Sequence, residues 1–354
     1  MNRVRSVLFA TAALAFGIDL LSVNRAGASC GIESCPLDLS GLKSAKSDLP
    51  GALSVSVNFE DIHQDVPRFG RQRVAFQQVS RPDHDEIETT TRTTTLTGSY
   101  TLSSAWSVDV TVPVVRRQHS HISLHGHHPH GTETGSKADD GHAHDDAAGT
   151  LETWRYTELG DIATWTRLKL SGDTTAQRQV VASLGISLPT ASTRVRNDDG
   201  ALAEPSLQPG FGGFGILAEL SSQGSLTVPL ISHHNHPSRW YASVRMRRNF
   251  AGTQGYRFGH ETLGHAGLKL PLSERFNALS QLSFSWRGKD GPGTTGELVD
   301  ATGGTYAYLS PGLQIELADG LSVHGYYQWP LYQRVNDIQI TSDRNLMIGL
   351  GFSR

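Results

Sequence analysis

Eight of the sixteen histidines in this 354-residue chain fall between His119 and His144. His119 and His121 are separated by one residue, so on an extended strand both imidazoles project to one side as a chelating pair for Zn, Cu or Ni. His125, His127, His128, His130, His142 and His144 follow in a stretch too polar to pack, with acidic Asp139, Asp140, Asp145 and Asp146 at its far end. A short histidine-rich tract is by composition a metal-binding signal. The alternative is a solvated loop whose histidines are incidental. His233, His234 and His236 make a smaller group beside Pro237, and the sequence leaves their geometry open. Ser120 next to His121 is the nearest approach to a nucleophile with its base, in a chain rich in both residue types. The nucleophile elbow G-x-S-x-G, the zinc motif H-E-x-x-H and a phosphate-binding glycine loop are all missing, so no enzymatic activity is expected and no cofactor is required.

The stretches around these residues alternate with a period of two. Trp106, Val108, Val110, Val112 and Val114 share one face of a strand, with Ser107, Asp109 and Thr111 on the other. After the histidines a return strand puts Ile162, Thr164, Thr166, Leu168 and Leu170 on one face, with Arg167 and Lys169 opposite. The same alternation recurs from Ala52 to Ile62, Thr89 to Leu102, Gln177 to Leu188, Phe211 to Leu220, Trp240 to Arg248 and Phe258 to Leu270. It recurs again from Phe276 to Trp286, Tyr306 to Leu317, Leu321 to Trp329 and Asn345 to Phe352. Short connections at Ser103-Ser104, Gly172-Asp173, Ser273-Glu274 and Asp319-Gly320 fall at one end. Long polar ones, His63 to Glu88, the histidine stretch, Gly288 to Gly304 and Arg334 to Asp343, fall at the other. Ser225 to Pro237 is read as an irregular connection, because a further strand there would reverse the direction of everything after it.

This pattern predicts an all-β fold, an antiparallel transmembrane β-barrel of about 12 strands, with about 14 as the alternative count. Trp106 and Trp240 open strands and Trp286 and Trp329 close them, all on the apolar face, as interfacial girdles require. The opposite face collects Asp109, Arg167, Lys169, Arg245, Arg247, Lys269, Arg275, Gln314, Glu316 and His324. That face is too charged for a dry core and reads as a polar lumen.

The first 28 residues read as a secretory signal peptide: basic Arg3 and Arg5, an apolar run from Ser6 to Ile18, and the small-residue site Ala26-Gly27-Ala28. Asp19 interrupts the run before it is long enough to span a membrane as a helix. Residues 29–50 then form a periplasmic lead-in, residues 51–354 the barrel, and 119–150 its histidine-rich extracellular loop. Without the leader, 28 Lys and Arg stand against 33 Asp and Glu, and nothing points to a nucleic-acid partner. The hydrophobic fraction of 37% excludes a helical membrane protein and leaves a barrel open, because only alternate barrel residues face lipid. Cys30 and Cys35 are the only cysteines. In an oxidising envelope they are expected to pair as a small disulfide, with a metal or redox role as the alternative.

The terminal run Asn345 to Phe352 resembles the C-terminal signal of outer-membrane barrels, although Ser353-Arg354 follow its aromatic. That resemblance implies a barrel-insertion machinery as partner during biogenesis. Leu159-Gly160-Asp161, Leu309-Ser310-Pro311-Gly312 and Pro330-Leu331-Tyr332-Gln333-Arg334-Val335-Asn336 resemble the outer-membrane transporters grouped with the meta-pathway of phenol degradation, a group similar to channels for aromatic hydrocarbons and fatty acids. What the resemblance implies is a fold more than a cargo. The expected function is an outer-membrane channel of a Gram-negative bacterium for an unidentified small solute, surrounded by outer-membrane lipid, with both termini in the periplasm. Metal capture through the histidine loop and a non-transporting structural barrel stand as the alternatives.

Overall fold

The computed structural model describes residues 37, 49–79, 84–123, 149–172, 178–226, 237–294 and 299–354. Fourteen strands form one sheet: β1 (Leu53–Phe69), β2 (Gln72–Arg73), β3 (His84–Thr101), β4 (Trp106–Ser123), β5 (Thr150–Leu159), β6 (Ile162–Ser171), β7 (Arg178–Leu188), β8 (Gly215–Leu226), β9 (Ser238–Asn249), β10 (Glu261–Pro271), β11 (Phe276–Arg287), β12 (Gly304–Ala318), β13 (Leu321–Val335) and β14 (Ile338–Ser353). Neighbours pair antiparallel, and β14 closes onto β1 from Ser54↔Ser353 to Phe69↔Ile338. The result is a closed barrel of 12 crossing strands with two extras. One extra is the short β2 hairpin on β1. The other is β5, which continues the line of β6 along the outer half of β4.

Alternation decides the two faces. Leu53, Val57, Leu96, Trp106, Val110, Leu184, Ile216, Val244, Leu282, Leu313, Trp329 and Leu350 are exposed all round the outer wall. In water such a belt would be an aggregation surface, and lipid covers it without cost. Trp106, Trp286 and Trp329 stand exposed in that belt.

The structure corrects several boundaries. His119 and His121 belong to β4 and are buried, so where a loop was expected from residue 119 the strand runs on to Ser123. The connection expected from His63 to Glu88 is mostly strand, because β1 runs on to Phe69 and β3 starts at His84. The loop expected from Arg334 to Asp343 is a tight hairpin turning at Asn336-Asp337, with Asp337 at φ 55, a conformation asparagine and aspartate tolerate better than most residues. Polar composition misled the reading in all three places. The strands there extend beyond the apolar belt, and polar side chains outnumber apolar ones on them.

The β5/β6 break also has a local cause. Pro113 on β4 has no N–H to give the ladder, and at Gly160 any Cβ would meet the Pro113 ring at 2.8 Å. Val114 pairs with Leu159 while Thr111 pairs with Ala163, so one extra residue is accommodated as a bulge.

Candidate functional site

The lumen holds a cavity of about 1240 Å³ that runs from the short-turn end, at Arg275, Asp319 and Ser353, to Phe211, Arg247 and Arg287. One side of the barrel interior is filled. Gln281, Ser283, Ser310, Gln314, Tyr308, Tyr326 and Gln328 on β11 to β13 are almost fully buried against one another. The cavity therefore lies largely against β1, β3, β4, β6, β9 and β10, with side chains of β7, β8 and β11 to β14 completing its lining.

Of the residues expected to face inward, Asp109, Arg167, Arg245, Arg247, Lys269, Arg275, Glu316 and His324 line this cavity. Lys169 lines a small side pocket at the turn end. Gln314 is buried and donates to Ser322 Oγ at 3.1 Å. His324 Nε2 and Asn58 Oδ1 are 3.0 Å apart.

Register explains how the charges meet. Arg167, Ser183, Glu219 and Arg245 form one cross-strand row over β6 to β9. The small Ser183 lets the two arginines converge on the Glu219 between them: Arg167 Nη1 lies 3.5 Å from Oε1, and Arg245 Nε donates to Oε2 at 2.8 Å. Arg167 also pairs with Asp109, whose other oxygen accepts from Ser99 Oγ at 2.5 Å. Lys269 Nζ is 3.5 Å from Glu316. Arg247 instead donates to neutral partners, Asn249 Oδ1 at 2.7 Å and Ser187 Oγ at 3.1 Å, and lies 3.6 Å over the Phe211 ring. Trp165 lies over Gly185, where a Cβ would clash with the ring at 2.7 Å, and Arg245 caps it at 5.1 Å.

The outer end is closed by residues 189–214 folding inward. The β5/β6 bulge aims Asp161 at that segment, and its carboxylate accepts from the backbone N–H of Ala191 at 3.2 Å and of Phe211 at 2.7 Å. Leu207 is fully buried against Trp154, Val195 and Ala203. Tyr156 Oη donates to Leu207 O at 2.5 Å, Arg117 to Ser206 O at 3.0 Å and Trp154 Nε1 to Ala201 O at 3.2 Å. Phe211 was expected to open a strand. It lies in this inward segment, and β8 begins at Gly215.

Above it, on the tall wall of β3, β4 and β5, the histidines are enclosed. His119 Nδ1 is 2.7 Å from Thr89 Oγ1, His119 Nε2 is 3.1 Å from His121 Nδ1, and His121 Nε2 is 3.3 Å from Glu152. His84 stacks on His121 at 4.5 Å and lies 3.7 Å from Glu204. This group is outside the membrane-spanning band: the outward apolar run of β4 ends at Val114, and Arg116 follows exposed. Burial holds the His119 imidazole well below its ordinary pKa. Glu86 pulls against that, and His121, His84 and Arg117 reinforce it. Among the described residues, no group of three or more His, Cys, Asp or Glu side chains is arranged to hold a metal ion.

His125, His127, His128, His130, His142, His144, the trio at His233, His234 and His236, and Cys30 with Cys35 lie outside the described residues. Leu37, from the stretch read as a periplasmic lead-in, packs on the inner wall against Leu279, Tyr326 and Met347.

Sequence reasoning missed Asp161, Glu219, Arg239, Glu152, His84 and Glu204. Period two, carried through β8 and β9, is the signal that would have put Glu219 and Arg239 on inward positions. Glu86, His121 and Glu152 share a register row that appears once β3 and β5 are given their full length.

No family model matches the chain, and no curated protein matches it in sequence. Solved structures do. An outer-membrane channel from Pseudomonas putida F1 is similar with a TM-score of 0.56 and 11% identity, over 90% of this chain and 100% of that one. The transport unit of the autotransporter AIDA-I from Escherichia coli gives 0.46 and 8% over 89% and 92%, and a Pseudomonas aeruginosa FadL homologue gives 0.39 and 10% over 86% and 90%. We rest the fold comparison on the first. The barrel has the fold of a Gram-negative outer-membrane channel.

Proposed function

We propose that the protein is an outer-membrane channel for a small polar solute, which crosses the lumen and passes the constriction made by residues 189–214. The observation that carries this reading is a cavity of about 1240 Å³, lined by charged side chains, inside a closed barrel whose outer wall is apolar. A barrel meant only to anchor or brace has no need to keep ionic side chains facing an open interior, since a packed apolar or fully paired filling would be more stable. In this reading the short-turn end, which carries both ends of the barrel sequence, faces the periplasm. Residues 1–28 are the cleaved leader, and β14 is the element a barrel-insertion machinery engages. The short motifs shared with the phenol-degradation group of transporters fit such a channel.

The test is conductance of the purified protein in planar bilayers, with liposome swelling as its non-electrical counterpart. Discrete openings are expected. A barrel sealed under all conditions would leave the non-transporting structural alternative.

Metal capture remains a second reading because His119 Nε2 and His121 Nδ1 are 3.1 Å apart, a separation that one Zn, Cu or Ni ion can span. Saturable zinc binding above about pH 6.5 that is lost when His119 and His121 are both replaced by Ala would support it, and binding unchanged by that double replacement would end it.

A further inference from the structure

The inward residues of β9 form a basic stripe down the passage. Arg239 stands near the turn end, and Arg245 and Arg247, two residues apart, stand towards the outer end. Eight residues of strand separate the first from the last, about 26 Å. Arg239 is placed directly opposite Lys269 in the ladder, a like-charge pair that costs stability and that no intervening carboxylate relieves on the Arg239 side. Among the described residues neither Arg239 nor Arg275 has a carboxylate in ion-pair range, and Arg247 is held by neutral groups. The acidic groups are distributed differently. Asp109 and Glu316 are bound to Arg167 and Lys269, and Glu219 is shared by two arginines. Glu274 and Asp319 stand at the rim, Glu60 lies across the cavity on β1, and the carboxylates that face the stripe are Glu219, paired with Arg245, and Glu261, opposite Arg247.

From this placement we infer that the channel selects small organic carboxylates, handed along β9 from Arg247 past Arg245 to Arg239. Guanidinium groups bind carboxylate bidentately, and a stripe of several weak sites lets a solute enter and leave again. The inference rests on the channel reading above.

The experiment is the reversal potential of the full mature protein in a planar bilayer under a potassium chloride gradient, repeated in potassium acetate. A mean potential of about one kT in the passage raises anion and lowers cation occupancy by roughly threefold each, so chloride and acetate are both expected to outrun potassium by at least about threefold. Arg239→Gln should bring the ratio towards unity, and Arg239→Lys should keep most of it. A wild-type channel that conducts without preference, or prefers potassium, overturns the inference and leaves the channel reading standing. So does Arg239→Gln with unchanged selectivity. Absence of any conductance overturns both.

Discussion

The histidine group under the outer rim and the charged lumen below it are built from similar side chains and behave as opposites. Around His119 and His121 all four ring nitrogens have a partner, His84 stacks on His121 while His119 meets it edge-on, and a folded-in segment covers them. None of these histidines borders the large cavity. In the lumen, Arg239, Arg245, Arg247 and Arg275 all line the cavity, and among the described residues Arg239 and Arg275 have no carboxylate in ion-pair range. Enclosed polar groups must be satisfied by their neighbours, whereas groups beside water can keep capacity free for a solute. The density of histidines in the sequence pointed to the outer group as the place for chemistry. The geometry makes His119 and His121 part of a fastening, while the other six histidines of that stretch lie outside the described residues.

The sharpest way to break this contrast is to cut the fastening. Trp154→Ala empties the pocket around Leu207 and removes the indole bond to Ala201, at a cost of about 3–5 kcal/mol. The loosened 189–214 segment should also raise single-channel conductance several-fold. Unchanged conductance would mean that this segment is not the constriction.

Next comes Glu219→Gln in the lumen. In a dry interior, removing the acid shared by Arg167 and Arg245 would cost about 3–5 kcal/mol, but these arginines face a solvated cavity, so about 1–2 kcal/mol is expected in thermal or urea unfolding. A loss at the dry-interior level would show that the cavity does not solvate them.

Acidification separates the two regions without mutation. The folded-state pKa of His119 lies below its unfolded value of 6.5, so its contribution to stability is present above about pH 6.5 and is lost progressively as the pH falls below that. Limited trypsin digestion should therefore reach exposed Arg194 and Arg196 faster at pH 5 than at pH 7.5, and His119→Gln should flatten the difference. Equal rates in the wild type would remove the fastening role.

The smallest effect belongs to the exposed Arg92–Asp61 pair at 3.1 Å, where Arg92→Ala should change stability by no more than about 0.5 kcal/mol. A larger loss would put that pair in the same class as the enclosed group.

Much of the barrel was legible before any coordinates. Val108, Val110 and Asp109 alternate because a strand has a period of two, and one side must meet lipid while the other meets water. That rule, with the alternation of short and long connections, led to about 12 crossing strands, with 14 as the alternative, and to the inward position of Arg167, Arg245, Arg247 and Lys269. It gave out where polar side chains outnumber apolar ones, as at His63 to Phe69 and His84 to Glu88, since little contrast marks a strand there. What only the tertiary structure decided was which inward groups meet. Glu219 reaches Arg167 because closure and register set Ser183 between them. Asp161 holds Phe211, 50 residues away, because a bulge turns its carboxylate to the inside. Periodicity is a local property of the chain, but pairing across the lumen and the path of a returning loop depend on contacts between residues far apart in sequence, and those exist only once the sheet has closed.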